Sequence, residues 1–340
     1  MTSLSMHFSF MQVDTKSCNQ EEGNVMGLGI VDIGVYLPDQ IEEPEVILES
    51  LGLGKGELQL LRKYHRLNGV PVTPPGQHLD NSIVRAIGQL VDRQPLPAID
   101  LVLYAHSAHV QAPGDYRPLQ RALSEYGLEH IPFYSISQMN CASSIAALQW
   151  LERISRTQPD IRNVLLVCAD QFNFMPPDWR YIRKSTILGD SAVAMLLSRN
   201  YGQHILQAAH VLRDTRFHTG YYAEVEEMTS FNKLYVDHII RGMEELLSAE
   251  GLTLHDVDHI FPHNVNWTTW KEFSKRTGVD QKQIYLDNIP RIGHTFSTDA
   301  FINLSSGLEN EWVHKGERSV LVSIGLGSFF GFALIEHGDC

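Results

Sequence analysis

Cysteine is scarce in this chain. Four are present among 340 residues, Cys18, Cys141, Cys168 and Cys340, with no Cys-x-x-Cys and no paired spacing. That argues against a disulfide framework or a cysteine-based zinc site and fits a reducing cytoplasm. Long apolar runs are also missing, and no stretch approaches the roughly eighteen residues that a membrane helix needs. The first residues lack the basic start and apolar centre of a secretory signal, so 1–26 read as a disordered leader, with Met26 a second candidate start. Positive charge is in deficit: 27 Lys and Arg stand against 40 Asp and Glu, a formal net charge of -13. An acidic surface repels phosphate backbones, which argues against a nucleic-acid partner. Arg180, Arg183 and Lys184 form a local exception. They read either as a cradle for a phosphate-bearing donor or as a solvated loop.

What is present has the character of a folded α/β protein. Hydrophobic residues make up 43% and charged residues 20%, ordinary proportions for a globular chain. From Gly27 the pattern alternates between apolar strands and amphipathic helices. Strands are expected at 99–105, 132–137 and 163–169, and helices at 81–93, 115–127 and 141–155. Near-continuous apolar strands mean sheets covered on both faces. Arg162-Asn-Val-Leu-Leu-Val resembles Arg318-Ser-Val-Leu-Val-Ser, and each leads to a second apolar strand opened by glycine, at Gly189 and Gly327. The expectation is a duplicated α/β unit, with an N-terminal half over 27–200 and a C-terminal half over 201–340. Residues 66–80, rich in proline and glycine, read as an irregular arm.

Four segments could carry chemistry. In Ser137-Gln-Met-Asn-Cys141-Ala-Ser-Ser a strand ends and small residues open a helix. A cysteine there feels the positive end of the helix dipole and becomes a better nucleophile; the alternative is a buried structural thiol. In Ile260-Phe-Pro-His263-Asn-Val-Asn266-Trp an apolar strand delivers His263 just past its carboxyl end, where α/β folds place reactive groups. Asn266 either orients the ring or caps the next helix. In Arg291-Ile-Gly-His294-Thr-Phe-Ser-Thr-Asp299, His294 is a second imidazole or a packed turn residue, and Asp299 a helix cap or a first-turn acid. The glycine-rich turn around Leu326 exposes backbone N–H groups, two of which would make an oxyanion hole, or else is an ordinary hairpin. His106 and His109 could bind a metal, line an acyl pocket or simply pack.

Taken in order, Gly-Val-Tyr-Leu-Pro at 34–38, Asn-Cys-Ala at 140–142, Leu-Gly-Asp-Ser-Ala at 188–192, Pro-His-Asn-Val-Asn at 262–266, Gly-His-Thr at 293–295 and the terminal glycine turn resemble ketoacyl-acyl-carrier-protein synthase III. The resemblance spans roughly residues 27–337. It implies a five-layered αβαβα thiolase fold, a homodimer, and Cys141 accepting an acyl group from a coenzyme A or acyl-carrier-protein thioester, with no permanently bound cofactor and no metal. It makes His263 the catalytic histidine and the amides of Cys141 and Leu326 the oxyanion donors, with Asn266, Arg180 and Arg183 as donor-binding candidates.

Two departures shift the reading. The family's Gly-Asn-Thr-Ser is here Gly-His294-Thr-Phe, and an arginine that follows the Pro-His motif is Thr268. The second favours a carrier protein over coenzyme A as donor. Gly293-His294 to Asp299 resembles the Gly-His-x-x-x-x-Asp stretch of a subgroup from antibiotic pathways. Its members form esters through a cysteine–histidine–aspartate set. The expectation is therefore transfer to a hydroxyl or amine acceptor, with His263 oriented by Asp299. Decarboxylative condensation through Cys141, His263 and His294 is the alternative, and a non-catalytic partner subunit of a heteromeric synthase a further one. The segment 171–184 and the arm at 66–80 are expected to wall the acceptor site.

Overall fold

A computed structural model describes residues 27–112, 116–172 and 175–338. The expected leader at 1–26, with Cys18, and the terminal Cys340 lie outside the described residues.

The first half opens with β1 (Leu28–Tyr36), a two-residue β2 (Ile41–Glu42), the short helices α1 (Pro44–Ser50) and α2 (Lys55–Gln59), and β3 (Val70–Pro71) in the arm. Then follow α3 (Leu79–Arg93), β4 (Leu101–Ala105), α4 (Pro118–Ser124), β5 (Phe133–Ile136), α5 (Ser143–Thr157) and β6 (Asn163–Asp170). A small hairpin of β7 (Tyr181–Ile182) and β8 (Thr186–Ile187) precedes β9 (Ser191–Ser198). The second half comprises β10 (His204–Arg213), α6 (Val225–Ala249), β11 (His259–Phe261), α7 (Trp267–Thr277), α8 (Ile289–Ile292), α9 (Asp299–Glu309), β12 (Arg318–Gly325) and β13 (Phe329–His337).

The strand order is β11-β12-β13-β10-β1-β9-β6-β4-β5. The five strands from β1 to β5 and the four from β10 to β11 follow the same internal plan, a first strand flanked by the last and then by the parallel pair. Ile284 makes an isolated parallel bridge to Ile260 where the first half has β5. The halves meet where β1 and β10 pair antiparallel at Leu28–Ile30.

Packing follows from the residue patterns. α3 buries Leu79, Ile83, Ala86, Ile87 and Leu90 along one stripe, which covers the outer face of the first sheet together with α4. α6 and α7 cover the outer face of the second through Phe231, Ile239, Met243 and Trp270. α9 is buried from Asp299 through Ser305, and α5 from Ser143 through Leu148. A helix buried on nearly all sides belongs in a central layer, and both contribute to the core shared by the inner faces of the two sheets. The result is five layers, αβαβα. β6 and β9 are buried almost throughout, as expected for strands with both faces covered.

Candidate active site

Cys141 lies in a single 3-10 turn, Asn140–Ala142, that feeds directly into α5. The turn is strained and held from the other half of the molecule. Asn140 adopts a left-handed φ of 49°, and its Nδ2 donates to the Leu326 carbonyl at 2.8 Å. Ser323 Oγ donates to the Cys141 carbonyl at 2.5 Å. At Gly325 a Cβ would stand 2.0 Å from the Met139 carbonyl oxygen, so glycine is required for the β12–β13 hairpin to close on the nucleophile turn. Cys141 is partly buried and packs against the cluster of Phe172, Leu188 and Phe296, as do Met175 and Ile182. Phe172, Met175 and Ile182 come from the segment expected to form a wall.

His294 follows Gly293, which has a φ of +59° and no room for a Cβ beside the Ile187 carbonyl. Its backbone is pinned to the Leu188-Gly-Asp segment: the His294 N–H donates to Ile187 O at 3.2 Å, and the Gly189 N–H to His294 O at 2.9 Å. So fixed, the ring bridges two groups. Nε2 lies 3.3 Å from Cys141 Sγ, and Nδ1 lies 2.6 Å from Asp299 Oδ2. Asp299, the first residue of α9, is fully buried. Its Oδ1 accepts the Thr295 N–H at 2.6 Å and the Thr295 hydroxyl at 2.7 Å, and its Oδ2 also accepts the Asn264 N–H at 2.7 Å. His263, just beyond β11, sits edge-on to His294 with ring centroids 4.3 Å apart. Its Nδ1 is 3.5 Å from Asp299 Oδ2 and makes no hydrogen bond.

The electrostatics separate the two imidazoles. Burial works against a charge on His294, but the Asp299 carboxylate and Cys141 outweigh it and push the ring up to about 10. Burial and the neighbouring His294 push His263 down to about 3. Burial would raise the Asp299 carboxyl, yet His294 holds it below its ordinary value. The favoured state has His294 charged, Asp299 ionised and His263 neutral. His263, His294 and Asp299 each offer a ligand atom within 4.8 Å of the others. The shortest link among them is the Nδ1–Oδ2 hydrogen bond, and a metal at either atom would have to displace it.

The structure therefore brings Cys141, His263, His294 and Asp299 together and corrects their pairing. Asp299 was expected behind His263. It instead bonds His294, because both lie in the tight turn that opens α9 and His263 arrives from another strand. Two donor-binding candidates, Arg180 and Asn266, are engaged elsewhere. Arg180 is only 8% exposed and spends its guanidinium on Asp190, at 3.2 Å to each carboxylate oxygen, and on the Leu188 carbonyl at 2.7 Å. Arg183 is exposed. Asn266 caps α7, its Oδ1 accepting from the Thr269 N–H at 2.8 Å and from two threonine hydroxyls. His106 Nδ1 donates to the Ala108 carbonyl at 2.7 Å, and its Nε2 shares a hydrogen bond with Ser135 Oγ at 2.9 Å. With His109 it lines a cavity of about 350 Å³ whose wall includes none of the four clustered residues. Thr295 and Asn264 escaped the sequence reading. Thr295, four residues before Asp299, had a usable signal in that spacing; Asn264 had none.

The family described as 3-oxoacyl-[acyl-carrier-protein (ACP)] synthase III matches residues 137–213, and its C-terminal counterpart matches residues 247–337. A beta-ketoacyl-[acyl-carrier-protein] synthase III of Clostridium tetani is 31% identical over 104 residues, 31% of each chain. A synthase III 2 of Vibrio vulnificus is 25% identical over 196 residues, 52% of this chain and 54% of that one. A Xanthomonas campestris synthase III is 24% identical over 214 residues, or 58% and 65%. The matched stretches thus span from 31% to 65% of these relatives. Among solved structures, the acyltransferase ChlB3 superposes with a TM-score of 0.78 at 20% identity, covering 92% of this chain and 98% of that one. The synthase III FabH of Pseudomonas aeruginosa gives 0.76 at 18%, covering 92% and 99%. OleA of Xanthomonas campestris, solved with lauric acid and lauroyl-CoA, gives 0.76 at 14%, covering 91% and 99%. The chain is thus similar in sequence to synthase III over residues 137–213 and 247–337, and it shares the fold of these solved structures.

Proposed function

We propose that the protein is an acyltransferase that carries an acyl group on Cys141, from an acyl-carrier-protein or coenzyme A thioester to a hydroxyl or amine acceptor, in secondary metabolism. The observation that carries this reading is the unbroken line from Cys141 Sγ through His294 to Asp299, with separations of 3.3 and 2.6 Å. The Cys141 thiolate attacks the thioester carbon, and the amides of Cys141 and Leu326 receive the developing oxyanion. Collapse breaks the donor C–S bond, and His294 gives its proton to the departing thiolate. With the sulfur acylated, Asp299 is left as the group that favours a proton on His294. The ring can take the acceptor's proton as the acceptor oxygen or nitrogen attacks, while Asp299 fixes its tautomer and stabilises the imidazolium. Collapse frees the Cys141 thiolate and leaves the proton on His294. His263, neutral beside this pair, is suited to hydrogen-bond the reacting carbonyl.

A second reading is decarboxylative condensation. Two imidazoles with centroids 4.3 Å apart favour it, since both could donate to an enolate. We also infer a homodimer through β5. It is an edge strand of the sheet, and its Tyr134 and Phe133 are 57% and 38% exposed, an edge that calls for cover.

The test is intact-protein mass spectrometry with acyl-carrier and coenzyme A donors, followed by a panel of hydroxyl and amine acceptors. An acyl adduct on Cys141 that discharges to an ester or amide is expected. Carbon dioxide release with a β-ketoacyl product from malonyl donors would establish condensation instead. No adduct with any donor would favour a non-catalytic subunit.

A further inference from the structure

α9 carries two side chains that grip the segment bearing His263. Asp299 opens the helix and Asn303 follows four residues later, so both lie on one face. Asp299 Oδ2 accepts the Asn264 N–H at 2.7 Å. Asn303 Nδ2 donates to the Pro262 carbonyl and to Asn264 Oδ1, each at 2.8 Å. The far end of the Asn303 amide is fixed too: its Oδ1 accepts from Asn288 Nδ2 at 2.9 Å. Asn288 in turn accepts from Arg291 at 2.6 Å and donates to Ser306 Oγ at 3.0 Å. Asn264 and Asn303 are fully buried, and Asn288 is 2% exposed. With both N–H donors and the carbonyl engaged, the Asn303 amide has a single satisfied orientation.

His263 has no such restraint on its Nδ1, which lacks a hydrogen bond. Its aim therefore depends on the backbone around it. Trp270 Nε1 donates to the His263 carbonyl at 3.0 Å, and Asn303 holds the Pro262 carbonyl before it and the Asn264 side chain after it. We propose that Asn303 is a positioning residue that aims His263, clamping Pro262 and Asn264 to the helix that carries Asp299. This rests on the reading above in which His263 serves acyl transfer. Asn suits the position because it offers two N–H donors at short reach. Aspartate would turn oxygens toward the Pro262 carbonyl, and an aliphatic residue would leave buried acceptors unpaired.

The test compares Asn303→Ser and Asn303→Asp with the wild type by three readouts: the His263 ring signal of isotope-labelled histidine in NMR titrations, alkylation of Cys141 by iodoacetamide against pH, and discharge of acyl-Cys141. The His263 signal is expected to shift, with its midpoint moving up toward the ordinary histidine range. Discharge should fall about a hundredfold, as expected for a reactive group displaced by about 1 Å. The alkylation profile, set by His294 and Asp299, should stay put. General loosening of the fold would move that profile as well and would overturn the proposal, as would a folded variant whose His263 signal titrates like the wild type. Should both variants fail to fold, Asn288→Ala frees the Asn303 amide to turn and gives the same readout. If the wild type accepts no acyl group, the functional reading fails, while the His263 signal still decides the role of Asn303.

Discussion

Asp299 Oδ2 lies 2.6 Å from His294 Nδ1 and 3.5 Å from His263 Nδ1. Less than an ångström of difference divides the labour between two buried imidazoles. Adjacent in a site with little water, they cannot both carry charge cheaply. The carboxylate settles the proton on the nearer ring, which is also the one that meets Cys141.

The two histidines should therefore fail differently when removed. His294→Ala is expected to slow iodoacetamide alkylation of Cys141 at neutral pH and to abolish acyl loading. His263→Ala should leave alkylation within about twofold and lower product formation by roughly 10²–10⁴-fold, the range for losing a positioned proton-transfer or hydrogen-bonding group. Equal effects of the two variants on alkylation would contradict this division.

Asp299→Asn preserves shape but removes the charge that holds the proton on His294. The expected loss of acyl transfer is roughly 10³–10⁴-fold, comparable to neutralising the acid of a serine-protease triad. The sign with pH follows from the same residue. His294 is raised from the ordinary histidine value to about 10, so its contribution to stability is complete below about pH 6.5 and is lost as pH rises through 10. Thermal melts of Asp299→Asn should show a smaller loss over that alkaline range than the wild type. Identical alkaline slopes would count against the ion pair.

Arg180 is placed as a structural cation by its pairing with Asp190, whose carboxylate also accepts the Thr73 and Phe172 N–H groups at 2.8 and 3.0 Å. Arg180→Met leaves that buried carboxylate without its cation and should cost about 3–5 kcal/mol, read as a drop in melting temperature. Arg183→Ala, on an exposed side chain, should change stability by less than about 0.5 kcal/mol.

Acid should weaken the fold through a partly buried pair at the sheet ends, where His204 Nδ1 and His337 Nδ1 are 2.9 Å apart. Burial pushes His204 down to about 4. Burial, with help from His204 and His259, pushes His337 down to about 3. Below about pH 6.5 the unfolded chain binds protons that the folded one refuses. Stability is then full above that pH and declines as pH falls toward 4 and 3. Buried Asp170, raised to about 6, opposes this between roughly pH 4 and 6, but His263 adds to it. The melting temperature should drop between pH 7.5 and 5, and His204→Asn should flatten the drop. A melting temperature flat across that range would refute it.

The strand–helix alternation, the cysteine at a helix start and the Gly-His-x-x-x-x-Asp stretch were all legible in the sequence. Each is local: side-chain period, turn chemistry and helix dipole act over a few residues and leave a pattern in neighbouring positions. Local reading also left alternatives open. The run Asp178-Trp-Arg-Tyr-Ile-Arg-Lys looks like a basic patch until Asp190 takes Arg180, and Asn266 looks equally able to orient a ring or cap a helix until the Thr269 N–H settles it. The sequence by itself determined which chemical groups this protein has. Only the tertiary structure decided which histidine meets the sulfur and which carboxylate backs it. That choice depends on how α9 packs against the ends of distant strands, and in a buried site the energy of a charge changes steeply with each ångström.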